Sequence, residues 1–269
     1  MNIWQAFVGL IVSALTLFAD LIRGLGIPYS FGFAIILFTL VIKLITMPLT
    51  FQQLRASKAM QDLQPELKEL QKKYKGDKEK LAQAQMDLYK QAGVNPLGGC
   101  LPTLIQMPFW FALYQALFNL ASQGHLVEGF FWIPSLAEPK DTSWLWPLPP
   151  SVGWLTAAAF MVLPILTVVS QVVVQKMMTP PNPDPQQSVM NQTMMIMPFM
   201  FGFFSLTVPQ GLVLYWVTSN IFAMIQQFFV NQWIGPISAP APVPVEPSAS
   251  KTPAATKRAK KDAKRKGKR

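Results

Sequence analysis

Charge is scarce in this sequence. Only 13% of its 269 residues are Asp, Glu, Lys or Arg, against roughly 25% in soluble domains. Beside 51% hydrophobic residues, 19 Phe, 14 Met and 8 Trp, that scarcity excludes an ordinary soluble domain and points to a membrane protein. A single cysteine, Cys100, allows no internal disulfide, and a single histidine, His125, cannot build a metal site of the usual kinds. Paired aspartates, a zinc-type His motif and a Gly-x-Ser-x-Gly elbow are also missing, which argues against an intramembrane enzyme. No cofactor or metal is expected. The rival class, a small-solute or anion transporter, predicts internal repeats with broken helices at matching places, and no such repeat is evident.

What is present is a set of five apolar runs, at 31–51, 97–120, 154–174, 190–207 and 212–233. Each approaches or exceeds the roughly 17–25 residues that cross a bilayer core. Residues 55–90 hold nine basic and six acidic side chains, the tail after Trp233 holds ten and two, and 123–150 holds one Lys against three acids. Loops rich in Lys and Arg stay cytoplasmic. The expected fold is therefore an all-α integral membrane protein: a five-helix transmembrane core over 27–233, with a cytosolic helical hairpin at 53–93 and an external loop at 123–150. Trp132, Trp144, Trp146 and Trp154 suit a membrane–water interface on the outer side. Residues 234–269 change to Pro, Ala and Ser and then to a basic run, a composition that predicts a disordered cytosolic tail.

The first 26 residues read as an interfacial amphipathic helix. Asn2, Gln5, Ser13, Thr16, Asp20 and Arg23 form one polar stripe on an otherwise apolar segment. A sixth spanning helix that begins in the cytosol is the alternative. In the hairpin, Pro65 suits a first helical turn, and Asp77 after Gly76 suits the cap of a second helix. Leu67, Leu70 and Tyr74 on the first helix then face Leu81, Ala84 and Leu88 on the second.

Lys43 is the most informative residue, because none of the five runs contains an Asp or Glu to pair with it. A charge at helix centre costs about 2.5–3.5 kcal/mol on the lenient insertion scale. In a continuous helix reaching Gln52, Lys43 would lie roughly 13 Å from the cytosolic end, a long way to snorkel. Thr167, Gln171 and Gln175 recur at a spacing of four, with Ser170 beside them, and Gln106, Ser219, Asn220, Gln226 and Gln227 stand on other runs. Two readings are open: these polar groups line a groove into which Lys43 points, or they bond across helices as packing glue.

Residues 95–102, Asn-Pro-Leu-Gly-Gly-Cys-Leu-Pro, are followed by Leu104-Ile105-Gln106-Met107-Pro108 and Ala112-Leu113-Tyr114. With Met47-Pro48-Leu49-Thr50, Leu63-Gln64-Pro65-Glu66, Met197-Pro198 and residues 209–216, Pro-Gln-Gly-Leu-Val-Leu-Tyr-Trp, this ordered set resembles the YidC-type membrane protein insertases, the YidC/Oxa/Alb group. The resemblance covers roughly residues 24–233 and implies a chaperone-like insertase. Such a protein takes nascent segments into a hydrophilic groove open to cytosol and lipid, then releases them into the bilayer. It implies a multi-pass inner-membrane protein with an external N-terminal region and a cytosolic C-terminus. In that family a basic residue, usually Arg, stands on the first span inside the groove. Lys43 matches it and keeps the charge without the bidentate fork. An apolar slide formed by the second and fourth spans is also implied, with Phe109 and Phe204 at matching positions. Nascent membrane proteins and the lipid bilayer are the implied partners, and a Sec-type translocon is a further candidate. The basic tail has two readings, a solvated segment that fixes orientation or a ribosome tether that pairs with RNA phosphates.

Overall fold

The computed structural model describes residues 2–94, 101–139, 144–145, 152–178 and 185–233, and within these not the side chains of 57, 101–105, 185–194 and 230–233. Nine helices occur among the described residues: α1 (Ile3–Gly24), α2 (Ser30–Ile45), α3 (Met47–Asp62), α4 (Gln64–Lys73), α5 (Lys78–Gln91), α6 (Leu101–Ser122), α7 (Trp154–Met178), α8 (Pro185–Phe204) and α9 (Gln210–Trp233). No strand is found among them, only the isolated bridge between Phe130 and Ile133. The chain is thus an all-α integral membrane protein. Residues 95–100 of the signature, the basic tail at 234–269, and 140–143 and 146–150 of the expected external loop lie outside the described residues.

Among the described residues α1, α7 and α9 are long and apolar enough to cross a membrane, and α2 with α3 makes a fourth candidate as a broken pair. The break is a departure from the expected continuous run 31–51. The axes of α2 and α3 differ by 61°, and the cause is local. Pro48 has no N–H to give the carbonyl four residues back, and its ring crowds that turn. The Thr46 hydroxyl turns back onto the Ile42 carbonyl at 2.8 Å and the Thr50 hydroxyl onto that of Thr46 at 3.1 Å, bonds that bend helices.

α9 is the centre of the bundle, packed on α7 and α2, and α8 packs on α7. α1 packs on both α2 and α6. Val8, Ile11, Leu15, Ala19 and Ile22 make its buried stripe, at spacings of three and four. Ile22 shares a cleft with Phe33 and Ile36, while Phe7 and Ile11 share one with Phe38 and Ile42, so α1 runs antiparallel beside α2. The interfacial reading rested on a polar stripe, yet most of that stripe sits at the helix ends. Asp20 and Arg23 pair with each other at 3.0 Å, and the Thr16 hydroxyl is satisfied by the Val12 carbonyl at 2.9 Å. α1 is long and apolar enough for the alternative, a sixth span, as well.

The hairpin α4–α5 forms as its sequence suggests. Pro65 stands in the first turn of α4, and the Asp77 carboxylate accepts from the Lys80 N–H as the cap of α5. The Lys80 ammonium 2.8 Å away, together with that hydrogen bond, holds the Asp77 carboxyl below its usual range, and the Asp77 carboxylate in turn raises Lys80. Leu63, Leu67, Leu70 and Leu88 form a small core of their own, with Tyr74, Leu81 and Ala84 against it. Lys73 lies over the Tyr74 ring at 5.5 Å.

Candidate functional site

The break at Thr46 changes the setting of Lys43. It lies in the last turn of α2, two residues before the helix ends at Ile45, and not the roughly 13 Å from a cytosolic end that a continuous helix would give. Its side chain is half-buried, and its ammonium finds no hydrogen bond or ion pair among the described residues. Helix C-termini carry the negative end of the macrodipole, so this position offsets part of the cost of the charge.

The polar residues of the other helices divide into two sets. Thr167 and Ser170 are buried, and their hydroxyls bond to carbonyls of their own helix, Leu163 at 2.9 Å and Thr167 at 3.1 Å. Asn220 of α9 donates from Nδ2 to the Ser170 Oγ at 2.9 Å. This seam between α7 and α9 is the packing glue that a bundle in lipid uses. Ser219 is hydrogen-bonded to the buried Tyr215 hydroxyl, and Gln226 and Gln227 are buried further along α9. Gln106 on α6 and Gln171 and Gln175 on α7 are half-buried, as Lys43 is. No hydrogen bond joins Lys43 to any of these side chains among the described residues.

Phe109 and Phe204 do not come together. Phe109 stacks on Phe38 with centroids 6.3 Å apart and meets Phe7 edge-on at 6.5 Å, so it faces α1 and α2. Phe204 meets Trp216 of α9 at 6.0 Å. The ring that joins α6 to the other side is the next residue, Trp110, stacked on Trp216 at 6.0 Å and edge-on to Phe201 at 6.2 Å. One step along a helix turns a side chain by about 100°, enough to separate these two faces. The signal was present in the periodicity: Phe109 extends the buried stripe Ala112, Leu113, Ala116, Leu117 and Leu120, which marks it as core. The Trp216 indole N–H is buried with no acceptor among the described residues. Outside this cluster α8 exposes Ile196, Met197, Phe199, Met200 and Phe203, a deformable Met-rich surface.

The end of the bundle where α2 and α9 begin is closed by the loop 123–139. The Glu128 carboxylate accepts from the Phe31 N–H at 2.8 Å and from the Ser30 hydroxyl at 3.3 Å. It thereby caps α2, whose own cap residue Tyr29 makes no side-chain bond. Leu136 and Glu138 carbonyls accept from the Gly211 and Gln210 N–H groups at 2.9 and 3.0 Å, which satisfies the first donors of α9. Gln210 reaches further. Its Nε2 donates to the Phe160 carbonyl at 3.1 Å, the acceptor that Pro164, four residues on in α7, has no N–H to fill. The loop side chains Leu126, Ile133 and Leu136 are fully buried, so this end is plugged by apolar packing as well as by hydrogen bonds.

The family described as 60Kd inner membrane protein matches residues 24–236. The chloroplastic inner membrane protein PPF-1 of Pisum sativum is 46% identical over 226 residues, covering 79% of this chain and 51% of its own length. The chloroplastic inner membrane protein ALBINO3 of Arabidopsis thaliana is 44% identical, covering 81% and 50%. The membrane protein insertase YidC of Geobacter sulfurreducens is 40% identical, covering 78% of this chain and 35% of that protein. The chain spans about half the length of the chloroplast relatives it matches. The matched region takes in α2 to α9, from the broken α2–α3 pair through the Pro-Gln-Gly start of α9, and this chain belongs to the 60Kd inner membrane protein family, the group of the YidC-type insertases.

Proposed function

We propose that this chain is a membrane protein insertase. It receives nascent polypeptide segments in a hydrophilic groove and releases them into the bilayer. The observation that carries the reading is Lys43, a half-buried cation on a membrane helix with no acid in any apolar run. Its unpaired charge suits a polar or acidic flank of a client, since attraction strengthens as the effective dielectric falls. Gln106, Thr167, Ser170, Gln171, Gln175, Ser219, Asn220 and Gln226 are the groove-lining candidates, and the Asn220–Ser170 hydrogen bond also ties α9 to α7. The client's apolar part leaves along the Trp110, Phe201, Phe204 and Trp216 rings and the exposed face of α8, driven by apolar burial. No covalent step is needed.

The orientation follows from charge. The hairpin and the basic tail face the cytosol of an inner-membrane-type bilayer, and the plug 123–139 faces outward. With α1 as a span, the N-terminus would begin inside rather than outside. A ribosome at the basic tail or hairpin and a Sec-type translocon are the further partners proposed.

The test is insertion of a small single-span client with an acidic flank into liposomes holding the purified protein. We expect wild type and Lys43→Arg to insert it, and Lys43→Ala to insert it severalfold less. Equal insertion by Lys43→Ala removes the role of the charge, and solute flux without insertion removes the reading as a whole.

A further inference from the structure

Phe130 and Ile133 exchange both backbone hydrogen bonds, each at 2.9 Å, so Phe131 and Trp132 form a two-residue turn. Phe131 has φ 52°, and Trp132 is not among the positive-φ residues. That is the sign pattern of a type II′ turn, whose first central position ordinarily belongs to Gly. A side chain with a Cβ is strained there. The rings are also left in the open: Phe131 is 59% exposed, Trp132 50%, and nearby Val127 62%. A water-facing turn of this type would take Gly-Asn or Gly-Ser. The chain instead keeps two large apolar rings on a strained turn and presents them outward, and strain retained in this way points to use.

The position of the tip identifies what it meets. Glu128 bonds to the first turn of α2, and the Phe131 ring lies 5.4 Å from Tyr29 and 6.1 Å from Phe33. The turn therefore sits level with the end of a membrane helix. Below it the surface runs on into an apolar cleft of 340 Å³ between α1 and α2, lined by Ile22, Ile27, Phe33, Ile36, Leu37 and Leu40. Phe33 belongs to both features. No residue from Gly129 to Ser135 is charged, and the nearest charges are engaged: Glu128 with α2, and Asp20 with Arg23.

We propose that the Phe131–Trp132 turn is an interfacial anchor. Its rings lie at the headgroup–acyl boundary, and a lipid acyl chain fills the α1–α2 cleft beneath. Aromatic rings with one polar edge favour that depth, and the surface is continuous with the lipid-facing bundle. The anchor fixes the plug that closes this end of the bundle to the plane of the bilayer. The proposal rests on the bundle spanning a membrane and not on the insertion activity, so either can fail alone.

The experiment uses full-length Cys100→Ser protein in phosphatidylcholine nanodiscs, where both faces meet water. An environment-sensitive NBD label is placed at Trp132→Cys or, with the turn intact, at Val127→Cys. Gln83→Cys on the exposed face of α5 is the aqueous reference. We expect blue-shifted emission at 127 and 132, quenched severalfold more by lipid carrying a nitroxide high on its acyl chain than by iodide. Iodide quenching equal to that at position 83 overturns the proposal. In a Phe131→Gly/Trp132→Asn protein labelled at 127, we expect a Tm no lower than wild type and loss of the lipid quenching. Lipid quenching that survives this change also overturns the proposal, since the aromatic turn would not be the anchor.

Discussion

The Gln210–Phe160 hydrogen bond makes a claim that a double-mutant cycle tests. Pro164 strips α7 of one internal bond, and a side chain from α9 restores it across the bundle. Gln210→Leu keeps the volume and leaves the Phe160 carbonyl buried without a donor. An orphaned buried group costs about 1–3 kcal/mol in proteins generally, and interhelical bonds in bilayers run at about 0.6–1.7 kcal/mol. The Gln210 Oε1, itself buried without a partner among the described residues, is removed by the same change, which returns part of the loss. Pro164→Ala restores a backbone N–H four residues after Phe160, so Gln210→Leu should then cost about 1 kcal/mol less than it does beside Pro164. Reversible unfolding of all four proteins in bicelles measures this as a roughly fivefold difference in the effect on the folding constant. If the two changes add, Gln210 does not stand in for the missing donor and the reasoning is wrong.

Three further outcomes follow from other parts of the molecule. A Cβ at Gly32 would enter the ring of buried Phe130, which Tyr29, Phe33 and Phe131 box in. Gly32→Ala should therefore cost about 1–3 kcal/mol, read as a lower Tm and eased by Phe130→Leu. In a Cys100→Ser background, Gln123→Cys should react with an impermeant maleimide from outside intact cells and Gln83→Cys only after permeabilisation, with the reverse pattern refuting the orientation. Ending the chain at Pro236 should lower ribosome co-sedimentation and flatten its salt dependence, because ten basic side chains are lost; unchanged binding would move the docking surface to the hairpin.

How much of this was legible in sequence varies with the kind of signal. The hairpin was, because capping and short-range periodicity are local: Asp77, Gly76 and the Leu67–Leu88 face stand where their residue types demand. The break in the first span was written in Pro48, yet hydropathy averages over a proline and reported one continuous run. For α1, a count of polar residues does not show where each group bonds, and the Thr16 hydroxyl bonds to its own helix. Lys43 stood out as an unpaired charge, but its distance from a helix end depended on that same break. Phe109 was read together with Phe204, yet its ring faces α1 and α2, because a motif match fixes the segment and only the helical phase fixes the face. Glu128 was counted as an external acid, and its capping of α2 joins residues 97 apart, a pairing no local pattern contains.

The plug has two allegiances in the order of synthesis. Its Glu128 bonds backward to Phe31, made 97 residues earlier, while its Leu136 bonds forward to Gly211, 75 residues later. At about 5–20 residues per second, those 75 residues take roughly 4–15 s to appear. During that interval the loop can already rest on α1 and α2, with its carbonyls turned toward a helix that does not yet exist. The protein would thus pass through a half-closed form each time it is made, and its own α9 would be the last segment to find its place in the bilayer.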